Sequence, residues 1–364
     1  MKSQYNKTIT ACFVGYIVQA IVNNFTPLLF LFFQKCYHIP ISQITLLVTF
    51  NFGIQLLVDF LSVRFVDKIG YRISMIIAHV LAAAGLFLLT VLPEILPVSF
   101  IGILIAVMIY AVGGGLLEVL VSPVVEACPS DNKEKAMSLL HSFYCWGHAG
   151  VVLISTVFFY VVGIDNWKIL AIIWAVIPIG NAFVFSKVPI APLLEDGDTG
   201  LGLKELFRMK IFWILLIMMI CAGASEQAVS QWASAFAEKG LGISKAAGDL
   251  AGPMAFAVLM GISRLFYGKY GDRINLEHFM IYSSFFMYFI LFRDFIIPDS
   301  AIKSDCLRCL WAFSGNHVAW NFQQGISSFA QRGNSHVCIA GIRWRYRLFR
   351  RSYIGWNGIR SFWG

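Results

Sequence analysis

Two short stretches decide how this chain is read. Residues 63–72 run Val63-Arg64-Phe65-Val66-Asp67-Lys68-Ile69-Gly70-Tyr71-Arg72, and residues 268–273 run Gly268-Lys269-Tyr270-Gly271-Asp272-Arg273. Each reads as one residue, three spacers, an Asp and then a base, and each follows a long apolar run. Nine such runs fall at 9–34, 41–64, 73–93, 97–126, 137–163, 167–187, 209–236, 246–267 and 276–292. Runs near twenty residues without period-two alternation are membrane-spanning helices, not strands of a barrel. The two charged stretches come after the second and the eighth run. With a polar connection at 188–208, which holds Glu195, Asp196, Asp198, Lys204 and Arg208, they divide the chain into two similar halves. Such a parallel duplication relates the halves by an axis along the membrane normal.

Composition agrees. Of 364 residues, 58% are hydrophobic and 13% charged, with mean hydropathy +0.72; a soluble domain carries about 25% charged residues. The net charge of +8 is unevenly placed: residues 1–290 hold 18 Lys+Arg against 17 Asp+Glu, and residues 291–364 hold 10 against 3. With the N-terminus in the cytoplasm, 14 of the first 18 cations lie inside, and Lys35, Lys168, Lys239 and Lys245 lie outside. The positive-inside rule therefore predicts a cytoplasmic N-terminus and a cytoplasmic 188–208 loop. The first run is too long for a signal-peptide core and lacks a small-residue cleavage site, so it reads as a retained helix.

The predicted organisation is an N-terminal six-helix bundle (1–187), the central loop (188–208), three helices of a second, incomplete bundle (209–292) and a tail (293–364). The tail holds five tryptophans, nine arginines and no membrane-length run. It reads as a change of reading frame near 288–305. Tryptophan has the single codon TGG, so each of Trp311, Trp320, Trp344, Trp356 and Trp363 conceals a glycine one base later. From Asp305 onward the code permits, in that frame, an apolar helix, an arginine–glycine loop and a second apolar helix. The alternative is a genuine basic tail, which would suggest nucleic acid or anionic lipid; on the frame-change reading no nucleic-acid partner is expected.

Charges and amides inside a bilayer are costly, so those present are candidates for function. Glu118 stands first, in Gly113-Gly114-Gly115-Leu116-Leu117-Glu118 with Pro123 five residues on. The glycines permit close backbone approach, and a desolvated carboxyl there could exchange a proton. In the seventh run, Gln227 and Gln231 share a helical face beside Trp232, with Glu226 about 100° away. Amides plus an indole suit a polyhydroxyl solute. Gln19 and Asn23 share a face in the first run, next to Asn24. Asn51 and Gln55 are one turn apart in the second, and His141 and His148 are seven apart and aligned in the fifth. Asp59 and Arg64 are expected to join the charges of the following loop. Structural hydrogen bonds between helices are the alternative for each. No Walker loop, G-x-S-x-G or H-E-x-x-H occurs, and the eight cysteines, including Cys306 and Cys309, form no metal-ligand pattern. No enzyme, metal or cofactor is expected.

The duplicated loop resembles the G-x-x-x-D-[RK]-x-G-[RK]-[RK] motif of the major facilitator superfamily, with Val63 in place of the first copy's leading glycine. The resemblance implies an all-α fold of two six-helix bundles working by alternating access, with Asp67, Lys68, Arg72, Asp272 and Arg273 in a loop that gates the inner mouth. The helix containing Glu118, followed by Ser138-Leu139-Leu140-His141-Ser142-Phe143-Tyr144-Cys145-Trp146-Gly147, looks like fucose permease and its sugar-transporting relatives over residues 10–290. That implies a monomeric cell-membrane symporter moving a small polar solute, a sugar, together with a proton through Glu118. One departure is plain: Asn23-Asn24-Phe25-Thr26-Pro27 has Pro27 where the group carries an acid. A drug or metabolite antiporter of the same superfamily is the alternative, though the fifth run lacks the proline such antiporters carry there. A non-functional truncated transporter is the other.

Overall fold

The computed structural model describes residues 2–129, 133–191, 208, 213, 217, 230–235, 237–239, 242–270 and 285. All regular structure among them is helical. Seven helical segments are long and apolar enough to cross a membrane: Tyr5–Cys36, Ile41–Ser62, Tyr71–Ile95, Ser99–Ala127, Leu139–Val162, Ile164–Lys187 and Lys245–Ile262. They match seven of the nine expected runs. The seventh run is described only at 213, 217 and 230–235 and the ninth only at 285, and most of the 188–208 loop and the whole 293–364 tail lie outside the described residues.

The first span is an interrupted helix. α1 (Lys2–Asn24) gives way to a 3-10 turn at Thr26–Leu29 and resumes as α2 (Phe30–Cys36). Pro27 explains the break: its ring has no N–H, so the carbonyl four residues back, on Asn23, loses its helical donor. α3 (Ile41–Ile69) and α4 (Tyr71–Ile95) are joined by Gly70 alone, at φ 90°. A side chain at that φ would be strained, so the glycine of the duplicated loop is what allows so tight a reversal. α5 (Ser99–Ala127), α6 (Lys133–Val162) and α7 (Trp167–Lys187) complete six spans. The next described span is α8 (Lys245–Asp249), a π turn at Leu250–Met254 containing Pro253, and α9 (Ala255–Tyr270).

In a bilayer, apolar surface gains nothing from leaving lipid for protein, so helices associate through close packing and hydrogen bonds. Glycine supplies the packing. A Cβ on Gly113 of α5 would stand 2.5 Å from the Ala78 carbonyl oxygen of α4, and one on Gly85 of α4 would stand 2.5 Å from the Tyr110 nitrogen of α5. Gly114 and Gly115 do the same toward α1 and α3: Cβ atoms there would come within 3.0 Å of Val22 Cγ1 and Gln55 Cα. The sequence expectation for this glycine run is met. Apolar side chains such as Leu56, Phe60, Val176 and Phe183 face outward while Gln19, Asn23, Asn51 and Gln55 are buried. An apolar exterior around a polar interior belongs to a multi-pass membrane protein.

Hydrogen bonds pin the bundle where glycine does not. His79 of α4 has Nδ1 2.7 Å from the Met75 carbonyl, which can only accept, so the proton sits on Nδ1. Nε2 then accepts from Asn181 Nδ2 of α7 at 2.8 Å, and the same amide donates to the Ala11 carbonyl of α1 at 3.0 Å. Neither residue stood out in the sequence.

Candidate functional site in the bundle core

The stripe Asn51, Gln55 and Asp59 runs down one face of α3 at four-residue spacing, and Gln19 and Asn23 run down a face of α1. The two faces meet. Gln55 Nε2 donates to Asn23 Oδ1 at 2.8 Å and to Asn51 Oδ1 at 3.2 Å, and Asn51 Nδ2 reaches the same Asn23 oxygen at 3.4 Å. One turn along α1, Gln19 Nε2 donates to Glu118 Oε2 at 3.1 Å. Glu118 is half-buried on α5, one turn past the glycines that let α5 approach.

The Asn23 carbonyl left without a helical donor by Pro27 is filled from the other half of the chain: Gln231 Nε2 donates to it at 3.0 Å. The residue that departs from the fucose-permease pattern thus creates an acceptor at the junction of the two halves. Beside it, Trp232 packs on Phe30 with ring centroids 5.4 Å apart. Asn23, Thr26, Asn51, Tyr110 and Gln231 face a small cavity walled by Phe30 and Leu47. Its volume is about 10 Å³, room for one water molecule. Tyr110 Oη donates to Thr26 Oγ1 at 2.8 Å across it.

A second cluster closes the Cys36 end. Asp249 is fully buried. Lys245 Nζ lies 3.1 Å from its Oδ2 and 2.7 Å from the Leu28 carbonyl oxygen in the first span. Thr156 of α6 donates to Asp249 Oδ2 at 3.3 Å, and Ser234 donates to Oδ1. Further out, Lys35 meets Glu238 at 3.6 Å and Lys239 donates to Gln34. First-half and second-half residues therefore hold one another across this end. Asp249 was not singled out from the sequence, although its i,i+4 spacing from Lys245, just ahead of the eighth run, was the available signal.

Other candidates fall elsewhere. Asn24 Nδ2 donates to Ala20 of its own helix at 2.9 Å. His141 packs on Tyr16 of α1, with centroids 5.5 Å apart, while His148 is buried beside Phe256 of α9. The two histidines share a helical face but meet different helices. Arg72 donates to the Phe185 and Ser186 carbonyls at 3.2 and 3.0 Å, capping the end of α7. Lys68 is exposed. Asp59 lies within electrostatic reach of Glu118; its expected meeting with the loop charges falls outside the described side chains. The side chains of Arg64 and Asp67 and the whole of Glu226, Gln227, Asp272 and Arg273 lie outside the described residues.

Comparison with known proteins places the fold. The E. coli fucose:proton symporter FucP, in a single-site variant, superposes with TM-score 0.64 at 18% identity, covering 93% of this chain and 89% of that one. The proton:xylose symporter XylE bound to 6-bromo-6-deoxy-D-glucose gives TM-score 0.73 at 13% identity, covering 93% and 85%. E. coli XylE in a partially occluded inward-open conformation gives 0.70 at 13% identity, covering 93% and 90%. At these identities the likeness speaks for the fold alone. No curated protein sequence matches. The family model described as Major Facilitator Superfamily matches residues 11–333. With that match over most of its length, the chain belongs to the major facilitator superfamily.

Proposed function

We propose that the chain is a secondary active transporter of the cell membrane that moves a small polar solute, a sugar, by alternating access, coupled to a proton at Glu118. One observation carries this reading: a buried amide stripe joins both halves at Asn23 and Gln231 and leads by way of Gln19 to a carboxyl. Asn23, Asn51, Gln55 and Gln231 offer carbonyl acceptors and N–H donors, and Phe30 and Trp232 offer flat apolar faces. That is the set a polyhydroxyl ring needs.

The cavity is water-sized with its Cys36 end closed, so a solute enters only when the two halves part. The contacts across that end, Lys245 to Leu28, Lys35 to Glu238 and Gln231 to Asn23, are the ones such a motion breaks. With the N-terminus in the cytoplasm this end faces outward. The protein acts as a monomer, each copy carrying its own stripe. Uptake of labelled L-fucose and D-xylose into vesicles tests the reading. Accumulation that collapses with an uncoupler and is lost in Glu118→Gln supports it; accumulation untouched by Glu118→Gln overturns the proton assignment.

A further inference from the structure

α3 and α5 run side by side in the same direction, and their start points set a common level for two acids. Asp59 is eighteen residues from Ile41 at the start of α3, and Glu118 is nineteen from Ser99 at the start of α5. Contacts fix the register between them. A Cβ on Gly115 would sit 3.0 Å from Gln55 Cα and 3.1 Å from Val58 Cβ. One turn past Gly115 is Glu118; one turn past Gln55 is Asp59. The two carboxyls are within electrostatic reach of each other, and Asp59 Oδ1 is shut away from solvent with no hydrogen-bond partner among the described residues. Glu118 also takes the Gln19 amide. An oxygen so placed, next to a second carboxyl, lacks one thing: a proton to share. Two carboxylates brought together out of bulk water cannot both stay ionised at modest cost.

We propose that Asp59 is the second carboxyl of the coupling site and that Asp59 and Glu118 hold one proton between them. The proton binds one carboxyl oxygen, and the resulting O–H donates to a carboxylate oxygen of the other. Loading takes the pair from two negative charges to one, and release to water restores both. The amide stripe Asn23–Asn51–Gln55 ends one turn from Asp59, so solute site and proton site share the helix face of α3. This rests on the proposed role of Glu118 and adds the residue that acts with it. Among the other ionisable side chains on the helices packed here are Tyr16 of α1, hydrogen-bonded to Ser122 at 2.7 Å, His141 of α6 against Tyr16, Glu126 two turns along α5, Tyr110 two turns back on α5 against Thr26, and Lys68 further along α3. Arg64 follows on α3 itself.

Infrared difference spectroscopy of the purified full chain during pH titration reads the carbonyl stretch of a protonated carboxyl directly. The wild-type band is expected to persist through neutral pH. In Asp59→Asn the remaining Glu118 band should titrate at least one pH unit lower, a tenfold gain in acidity, because its like-charged neighbour is gone. Glu118→Gln should do the same to Asp59, and Asp59→Glu should keep the wild-type titration, showing that the charge rather than the fold was changed. Midpoints that ignore removal of the neighbour, or a band missing from the wild type, overturn the shared proton. Loss of the band on adding sodium at fixed pH overturns it in favour of a metal cation. Failure of the transport reading is separate: it shows as sugar accumulation insensitive to an uncoupler, whatever the infrared result.

Discussion

Lys245→Met is the most informative single change at the Cys36 end. Asp249 is fully buried, and Lys245 Nζ at 3.1 Å is its counter-ion, itself 24% exposed. Removing one partner of a buried pair leaves an uncompensated charge, at a cost of about 3–5 kcal/mol. The carboxyl can escape by taking up a proton, which for an ordinary Asp at pH 7 costs about 4 kcal/mol and so caps the penalty. Because Lys245 keeps some contact with water, the low end applies, about 3 kcal/mol, or roughly a hundredfold in the balance between closed and open forms. Only the closed form pays this, since opening hydrates Asp249.

The assay is thiol labelling. Phe30, 2% exposed at the cavity wall and packed on Trp232, is replaced by Phe30→Cys in a Cys36→Ser background, Cys36 being the exposed thiol among the described cysteines. A membrane-impermeant maleimide should react at least tenfold faster when Lys245→Met is added. Adding Asp249→Asn as well should return the rate toward its starting value, because the neutral amide accepts from one of the Ser234 and Thr156 hydroxyls and donates to the other without needing a cation. Lowering the pH should shrink the Lys245→Met effect about tenfold per unit once protonation sets the cost. Labelling that is unchanged by Lys245→Met, or slowed by it, would refute the reasoning.

Gly113→Leu should abolish folding, since even a Cβ there meets Ala78 backbone at 2.5 Å; gel filtration in detergent shows aggregate where the parent runs as one species. Gln231→Leu should leave the Asn23 carbonyl without its donor and speed Phe30→Cys labelling by less than Lys245→Met does, because a single neutral hydrogen bond is worth about 1 kcal/mol. Asn181→Leu should lower the unfolding temperature of the purified protein, as it strips both His79 Nε2 and the Ala11 carbonyl of a donor. Sequencing the gene across codons 280–364 should reveal a gained or lost base; an intact frame would mean the arginine-rich tail is genuine.

What was legible follows from what the bilayer imposes locally. Twenty-residue apolar runs must be helices, so seven of nine expected spans are found where the described residues reach. Gly70 stood in the sequence only as part of the duplicated loop; that it makes a one-residue reversal at positive φ needed the backbone. Gly113–Gly115 could be read because small residues are how helices touch in lipid. Partners were not legible, because they lie across the fold: Gln19 and Glu118 are 99 positions apart, and Asn23 and Gln231 are 208 apart. Pro27 showed this most clearly. The sequence revealed only that an acid was missing there, while its effect, an unpaired carbonyl that recruits the other half, needs the geometry. Spacing gave a shared face but not the partners on it. His141 and His148 share a face of α6, but the neighbour of that face changes along its length, so one meets α1 and the other α9.

The central claim is a proton-coupled transporter built on the Asn23–Gln231 stripe and Glu118. Its most direct test is uptake into proteoliposomes under an inward proton gradient, with the present reading frame and with the frame restored. The account predicts that the frame-restored protein accumulates labelled L-fucose or D-xylose uphill, that an uncoupler abolishes the accumulation, and that Glu118→Gln loses it. Uphill accumulation that survives both the uncoupler and Glu118→Gln would contradict it.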